Sequence, residues 1–301
     1  MTGDAIVCTT EQNLLGEGVI WDARRDELLR VDILAGRVYR DRIADDGGLI
    51  PIRTYDLGGT VSAIAPIEGD GGWLLAANRG IAHLSPDGSL RPIADLAPQG
   101  ARMNDAACDP RGRFWAGTMA DRAGAAALYR LDVDGQTELM LDGLTTSNGL
   151  DWSLDGRTMY LADSGPGLVH AFDFDADRGT ISGARVLIDL AEDTGTPDGL
   201  TVDADGDLWV AIWGAGRVNR YTADGVLREE LIVPAAQTTS CAFAGPGLNL
   251  LYVTTATEDF SDEQRRADRA AGLVYRFDTL ATGRSAAPYR PDRTWWATAV
   301  P

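Results

Sequence analysis

The sequence predicts an all-β protein, a six-bladed β-propeller whose ring is closed by the N-terminal strand joining the last blade. Three observations favour this fold. A short apolar strand recurs six times, a second strand with alternating polarity follows it in most recurrences, and Asp-Gly turn signals lie between strands. We expect the six units to form one domain over residues 1–301.

The first strand of each unit is centred on an aromatic residue or a leucine. Successive centres lie about 45 residues apart, which is the length of a propeller blade of four short strands, whereas β-solenoid repeats are much shorter. A closed ring also needs no capping units. The six centres are Leu29, Leu74, Trp115, Tyr160, Trp209 and Tyr252.

The second strand of each unit begins about ten residues after the centre, and in the last unit after a longer insertion. These strands are expected at residues 37–40, 81–84, 127–130, 168–171, 217–220 and 273–276. Asp-Gly pairs favour tight hairpins because both residues tolerate positive φ. Such pairs occur at residues 87–88, 134–135, 155–156, 205–206 and 224–225.

The two ends of the chain are expected to complete one blade. The last unit has too few strands, and a strand at residues 5–10 precedes the first unit, so this strand should join the sixth blade. The only helical pattern is a short one at residues 262–271. His83 and His170 fall on strands and are interpreted as structural residues.

The charge of the chain excludes several functions. The chain has 27 arginines, no lysine, two histidines and 45 acidic residues, for a formal net charge of -18. Schiff-base chemistry and a P-loop therefore lack their lysine, and a three-histidine zinc site is impossible. The negative field repels phosphate backbones and anionic lipids, so we expect neither nucleic acid nor membrane as partner.

The chain is expected to be cytoplasmic. Its first residues lack a basic segment followed by an apolar run, and no stretch reaches 18 apolar residues. Cys8, Cys108 and Cys241 are odd in number and far apart, so they are interpreted as reduced thiols.

One position in every unit is polar. It lies 11 or 12 residues before each strand centre, where the chain enters the innermost strand, so the six side chains should converge at one end of the central channel. They are Glu17, Ser62, Asn104, Asn148, Asp198 and Ser240.

Three of these residues predict a metal site. Glu17, Asn148 and Asp198 offer carboxylate and amide oxygens, which suit a hard divalent cation. Two carboxylates in a partly desolvated funnel also destabilise each other unless a cation neutralises them. We expect Ca²⁺, with Zn²⁺, Mg²⁺, Mn²⁺ and Fe²⁺ as alternatives. Ser62 and Ser240 are instead expected to bond local backbone.

Two motifs are interpreted as structural. Residues 203–207 resemble the start of an EF-hand, but they lack the glycine at the sixth position and continue into an apolar strand, which predicts a hairpin turn. Asp163-Ser164-Gly165 is not a nucleophile elbow, and the pattern supplies no histidine beside it, so a serine hydrolase is not expected.

Longer motifs resemble the regucalcin (senescence marker protein) and gluconolactonase family over essentially the whole chain, in order. The similar segments are residues 15–22, 102–105, 116–120, 147–155, 197–203, 216–218, 238–241 and 251–256. The resemblance implies a six-bladed propeller that uses one divalent metal to hydrolyse sugar lactones to aldonic acids. It also implies metal ligands at Glu17, Asn148 and Asp198, the set that the repeat singles out.

The resemblance further implies that Arg102 and Asn104 contact the substrate. Many relatives carry two acidic residues after the segment 116–120, one of them a substrate contact, whereas this chain has Asp121 and Arg122. The departure puts the identity and orientation of the sugar in doubt. We expect Asp198 to act as general base, since a carboxylate beside the metal and a water can accept its proton.

The sequence is also compatible with two other functions. One is a non-catalytic calcium-binding or regulatory propeller, and the other is a hydrolase of another ester or a phosphotriester, because a propeller does not fix its substrate. Residues 255–271 lie between two strands of the last blade. They either wall the channel, with Trp213 and Phe260 as apolar contacts, or form a solvated charged loop.

Overall fold

The structure, a computed structural model, describes residues 3–69 and 71–299. It contains six antiparallel sheets of four strands each, and each sheet is one blade of a propeller. The predicted all-β fold is therefore confirmed. Each of the six predicted strand centres lies on the second strand of its blade.

The blades follow one another along the chain. Blade 1 contains β2 (Gly16–Asp22), β3 (Glu27–Asp32), β4 (Arg37–Ile43) and β5 (Leu49–Asp56). Blade 2 contains β6 (Val61–Pro66), β7 (Trp73–Ala77), β8 (Gly80–Leu84) and β9 (Leu90–Asp95). Blade 3 contains β10 (Ala101–Cys108), β11 (Phe114–Ala120), β12 (Ala126–Leu131) and β13 (Thr137–Leu144).

The second half repeats this order. Blade 4 contains β14 (Ser147–Trp152), β15 (Thr158–Asp163), β16 (Leu168–Asp175) and β17 (Thr180–Asp189). Blade 5 contains β18 (Thr196–Val202), β19 (Leu208–Trp213), β20 (Arg217–Tyr221) and β21 (Leu227–Ile232). Blade 6 contains β22 (Thr238–Ala244), β23 (Leu250–Thr255), β24 (Tyr275–Asp278) and β1 (Ile6–Val7).

The N-terminal strand closes the ring, as predicted. β1 pairs antiparallel with β24, with Ile6 opposite Arg276 and Val7 opposite Tyr275. Joining the first and last parts of the chain in one sheet leaves blade 6 with the same four strands as the others. Only short protected edges remain in such a ring.

The first strand of each blade lies innermost. These strands contact their counterparts in the neighbouring blades around the whole ring. Large apolar side chains from the second strands fill the space between blades; Trp115, Trp209 and Tyr252 are fully buried there. The core is thus a set of clusters between blades, which leaves the axis of the ring free for a channel.

The innermost strands carry bulges near their starts. In blades 3, 4 and 5 the pairing with the second strand shifts register between Met103 and Ala106, Ser147 and Leu150, and Pro197 and Leu200. A bulge leaves residues unpaired and re-aims their side chains. The residues without a partner on the second strand at these bulges include Asn104, Asp105, Asn148 and Asp198.

The predicted turns and thiols are also observed. The glycine of every predicted Asp-Gly pair has positive φ, between 66° and 103°. Residues 203–207 form a hairpin turn, in which the buried Asp203 carboxylate accepts hydrogen bonds from the Asp205 and Asp207 amides. All three cysteines are free thiols.

Two helices lie outside the blades. The predicted short helix is α1 (Asp262–Ala267), which begins with a capping box between Ser261 and Gln264. The second helix, α2 (Arg293–Ala299), ends the described chain and was not predicted. No helix within residues 3–69 and 71–299 is long and apolar enough to cross a membrane.

The segment before α2 crosses one end of the channel, which the repeat pattern did not predict. Arg284 donates to the Val202 carbonyl in blade 5. Further on, Tyr289 donates its amide to Pro66 in blade 2, and Arg290 donates its amide to Gly112 in blade 3. All these partners lie at the ends of innermost strands or just beyond them, so the segment closes the channel there.

Candidate functional site

The candidate site lies at the open end of the channel, where the six innermost strands begin; we call this end the mouth. Glu17 on β2, Asn148 on β14 and Asp198 on β18 are all buried there, each no more than 6% exposed. The three residues come from three different blades. The repeat therefore singled out side chains that the fold brings to one place.

Close packing of two innermost strands holds Asn148 beside Asp198. Gly149 follows Asn148, and its Cα lies so close to β18 that an added Cβ would meet the Leu200 amide and stand 2.6 Å from the Asp198 carbonyl. Only glycine allows backbones to approach this closely.

Ser164 fixes the orientation of the Asn148 amide. Asn148 Nδ2 donates to Ser164 Oγ at 3.0 Å, and Ser164 Oγ donates to the Pro197 carbonyl at 2.7 Å. The amide nitrogen is thereby engaged, and Oδ1 is left for another partner. Across residues 3–69 and 71–299, neither Asn148 Oδ1 nor Asp198 Oδ1 finds a hydrogen-bond donor, although both atoms are buried. Buried oxygens without a donor are costly, so this pair indicates a missing ligand.

Three carboxylates at the mouth repel one another; we call Glu17, Asp105 and Asp198 the acid cluster. Burial, reinforced by the charges of Glu17 and Asp105, raises the pKa of Asp198 well above its usual value. Burial, then the charge of Asp105, raises the pKa of Glu17 to about 8. Burial also raises the pKa of Asp105 to about 6. A cation among these groups would favour their ionised forms.

The donor set fits a hard divalent cation. Nowhere in the described part of the chain are three or more histidine, cysteine, aspartate or glutamate side chains grouped as a metal site. The candidate set has a different make-up, two carboxylates and one amide, and its Asn148 and Asp198 oxygens lack donors. Glu17 Oε2 accepts a hydrogen bond from the Gly18 amide at 2.9 Å, which orients its carboxylate. All three ligands would be oxygen atoms, as Ca²⁺ and Mg²⁺ prefer.

Arg102 and Asn104 lie on β10 at the same mouth. Arg102 Nη1 donates to Asn104 Oδ1 at 2.8 Å and to the Met103 carbonyl at 2.9 Å. Asn104 Nδ2 donates to the Ser147 carbonyl of the next blade at 3.1 Å. Burial lowers the pKa of Arg102, and the charges of Glu258, Glu17 and Asp198 oppose this shift. The guanidinium is thus held in a partly desolvated, acidic surrounding.

The two residues predicted after the segment 116–120 lie less deeply. Asp121 and Arg122 are exposed on the loop after β11, whose last residue, Ala120, pairs with Ala101 at the mouth end of β10. Ser62 is fully buried, and its Oγ donates at 2.7 Å to the Met103 carbonyl of the next blade, so it bonds backbone as expected, although that backbone is not local.

Two residues of the mouth were missed by the sequence reasoning. Asp105 was noticed only as part of a motif, because a regular strand would direct it away from Asn104. Glu258 lies in the segment 255–271 after β23, and the side chain of Gln237 forms two hydrogen bonds with the Glu258 backbone. Gln237 Nε2 donates to the Glu258 carbonyl at 2.9 Å and Oε1 accepts from the Glu258 amide at 2.8 Å. The sequence shows no periodic signal for this contact.

The segment 255–271 combines the two arrangements that the sequence left open. Its first residues line the mouth. Ala256 forms an isolated antiparallel β-bridge with Leu15, and the Thr257 amide donates to the Leu14 carbonyl. Helix α1 has no buried residue and is solvated. Trp213 is partly buried at the end of β19 and bridges Gln237.

A cavity of about 670 Å³ occupies the channel between the mouth and the C-terminal segment. Asp105 lines it on the mouth side, small apolar residues such as Ala106 and Ala242 line its wall, and Arg284 lies on the opposite side. The Arg284 charge is engaged by Asp151 at 2.5 Å. The acid cluster therefore sits above a channel that is closed at its far end.

The chain is similar to known proteins over most of its length. Residues 15–257 match the family model described as SMP-30/Gluconolactonase/LRE-like region. A pentonolactonase from Haloferax volcanii is 34% identical over 90% of this chain and 92% of its own. Human regucalcin is 32% identical over 96% of this chain and 99% of its own. The crystal structure of a calcium-binding protein, regucalcin, from Agrobacterium tumefaciens is 31% identical, covers 96% of this chain and 98% of its own, and superposes with a TM-score of 0.88.

Proposed function

The chain belongs to the SMP-30/gluconolactonase/LRE-like family, and from this premise we propose that it hydrolyses a sugar lactone to the aldonic acid with one divalent cation at the mouth. The observation that carries the proposal is the pair of buried oxygens without donors, Asn148 Oδ1 and Asp198 Oδ1, beside the Glu17 carboxylate. The relative from Haloferax volcanii named a pentonolactonase supports the reaction class. The protein is thus a hydrolase that acts on esters.

Glu17, Asn148 and Asp198 would hold the cation. When bound, it would supply a Lewis acid that polarises the lactone carbonyl and stabilises negative charge on its oxygen. Ca²⁺ is our proposal for the cation, because the three ligands are oxygen atoms and a regucalcin structure is described as that of a calcium-binding protein.

Asp198 is the proposed general base. Its Oδ1 would bind the cation, and a carboxylate beside both the cation and a water can accept the water's proton through its second oxygen. Water oxygen forms a bond to the carbonyl carbon, the ring C–O bond breaks, and the proton held by Asp198 passes to the leaving ring oxygen. The product acid then ionises. One lactone and one water thus give one aldonate and one proton.

Arg102 and Asn104 would orient the sugar. Arg102 can only donate hydrogen bonds. Its Nη1 donates to the Met103 carbonyl and to Asn104 Oδ1, and these two bonds fix the guanidinium group at the mouth. The remaining donors suit hydroxyl or ring oxygens. Asp121 and Arg122 would contact only the outer part of a substrate, because both are exposed.

A non-catalytic calcium-binding protein is the second candidate, favoured by the name calcium-binding protein that one similar structure carries. It uses the same three ligands and differs only in needing no base and no substrate contacts. A cytoplasmic location and a small-molecule partner remain predictions.

The test begins with metal-free protein prepared with a chelator. The protein is resupplied with single cations, and acid release is measured on five- and six-carbon aldonolactones. We expect turnover above the spontaneous rate with at least one cation, and a loss of about 100-fold or more in Asp198→Asn. Asp142→Asn, an exposed carboxylate, is the matched control. Binding of cations without turnover of any lactone would favour the second candidate.

A further inference from the structure

We propose that Glu258 determines substrate specificity, by accepting a hydrogen bond from a hydroxyl group of the lactone at the rim of the mouth. This inference rests on the proposed lactonase function. It adds a residue from blade 6 to a site otherwise built from blades 1, 3, 4 and 5.

Rigid backbone contacts position Glu258. The preceding residue, Thr257, is fully buried, and its hydroxyl donates to the Asn13 carbonyl at 3.0 Å. The side-chain amide of Gln237 donates to the Glu258 carbonyl and accepts from the Glu258 backbone amide, so both backbone groups of Glu258 are held. Ala256 bridges Leu15, two residues before Glu17. The side chain therefore starts from a fixed point at the rim of the mouth.

The charge of Glu258 faces the site without direct contact. Its electric field acts on Arg102, Glu17 and Asp198. Arg102 and Glu258 nonetheless form no ion pair in the described structure, so their nitrogen and oxygen atoms lie more than 4.0 Å apart. The Glu258 carboxylate is therefore not neutralised by a direct ion pair with Arg102, and it keeps its capacity to accept a hydrogen bond.

Few acceptors for substrate hydroxyl groups remain among the described residues of the mouth. Arg102 has donors only, and Asn104 already accepts one bond from Arg102 and donates one to the Ser147 carbonyl, which leaves its oxygen room for one further bond. The acid cluster faces the proposed cation, and Asp121 is exposed. Glu258, which is half-buried and has no side-chain hydrogen bond in the part of the chain described, is the remaining carboxylate that can accept from a hydroxyl hydrogen.

This arrangement predicts selectivity rather than a rate effect common to all lactones. A polyhydroxylated lactone can donate a hydroxyl hydrogen to Glu258 while its oxygens accept from Arg102. An unsubstituted lactone has no hydroxyl to donate to Glu258, so it gains nothing from this residue. A site built to bond a substrate hydroxyl discriminates strongly against the analogue that lacks it.

The experiment compares Glu258→Gln with Glu263→Gln. The control removes the same charge from the same segment, in α1, where Glu263 is exposed. Steady-state kinetics are measured with the proposed cation on aldonolactones and on δ-valerolactone, and thermal unfolding with increasing cation reports its binding. In Glu258→Gln we expect kcat/KM to fall about 10- to 100-fold for aldonolactones and to change less than about twofold for δ-valerolactone. Cation binding should weaken by less than about threefold, because the substitution removes a nearby charge that is not a ligand of the cation.

The outcomes separate the two proposals. Absence of lactone turnover in the wild-type protein would refute the proposed function together with this inference. Turnover in the wild type with unchanged selectivity in Glu258→Gln would refute the inference alone. An equal loss on both substrates, or cation binding weakened by more than about tenfold, would also overturn it, because Glu258 would then act on the acid cluster instead of on the substrate.

Discussion

Asn148 Oδ1 and Asp198 Oδ1 are buried on adjacent innermost strands, and neither has a hydrogen-bond donor among the described residues. A native fold seldom leaves two such atoms together. Glu17 lies at the same place, and burial together with the charge of Asp105 raises its pKa to about 8, so ionising it there is costly. The metal-free site is therefore unfavourable, and this cost can be measured.

A divalent cation should stabilise the protein. At a concentration 100 times the dissociation constant, binding to the folded state alone contributes about 2.7 kcal/mol, which raises the melting temperature by about 5 °C. In Glu17→Gln we expect the metal-free protein to melt higher than the wild type, because one repelling carboxylate is removed, and the cation-induced shift to be largely lost. Differential scanning calorimetry with and without Ca²⁺ measures both effects.

Glu11→Gln is the control for this prediction, since Glu11 is exposed. Its melting temperature should respond to Ca²⁺ as the wild type does. A Glu17→Gln protein that is less stable without metal, or that keeps the full shift, would contradict the assignment of Glu17.

Gly149→Ala should damage the site through the backbone. The new methyl group would meet the Leu200 amide and the Asp198 carbonyl, so β14 and β18 must move apart and Asn148 must leave Asp198. We expect a loss of about 1–3 kcal/mol in the free energy of unfolding and at least about tenfold weaker cation binding. Urea unfolding and calorimetric titration of Ca²⁺ measure these quantities.

Gly3→Ala is the matched substitution, because a Cβ there meets only the Asp278 carbonyl, at 3.9 Å. Unchanged cation affinity in Gly149→Ala would show that the close approach of the two strands does not shape the site.

The sequence predicts the ring and part of the site because both are periodic. Glu17, Asn148 and Asp198 each lie 11 or 12 residues before their strand centre, so locating the strands locates the ligands. The bulge between Met103 and Ala106 is not periodic, and it brings Asp105 into the channel, where strict alternation would direct it away.

Contacts between distant segments of the chain leave no local pattern either. Gln237 and Glu258 are bonded across 21 residues, and Tyr289 in the C-terminal segment pairs with Ile67 from blade 2. Such pairs are fixed by tertiary packing, which single-sequence periodicity does not encode.

Asp203→Asn should reduce stability without affecting the site. The buried Asp203 carboxylate ion-pairs with Arg220 at 2.8 Å and accepts from Trp209 Nε1 at 2.9 Å, in addition to its two turn amides. An uncharged amide would weaken these hydrogen bonds, while Asp205 and Asp207 would still pair with Arg220, so we expect a loss of about 1–2 kcal/mol. Urea unfolding measures the loss, and Ca²⁺ affinity at 20 °C, well below melting, is the readout for the site. A selective loss of Ca²⁺ binding would instead support a metal-binding loop at residues 203–207.

Arg102→Lys should impair substrate binding more than cation binding. The guanidinium is fixed by its bonds to the Met103 carbonyl and Asn104 Oδ1, and a lysine ammonium lacks both the fork and its planarity. We expect kcat/KM for aldonolactones to fall about 10- to 100-fold, mainly through KM, while δ-valerolactone is affected less than about threefold. Arg42→Lys, at an exposed position on β4, is the control. If Arg102→Lys lowers kcat equally for both lactones and leaves KM unchanged, Arg102 stabilises the transition state of ester cleavage and does not position the sugar.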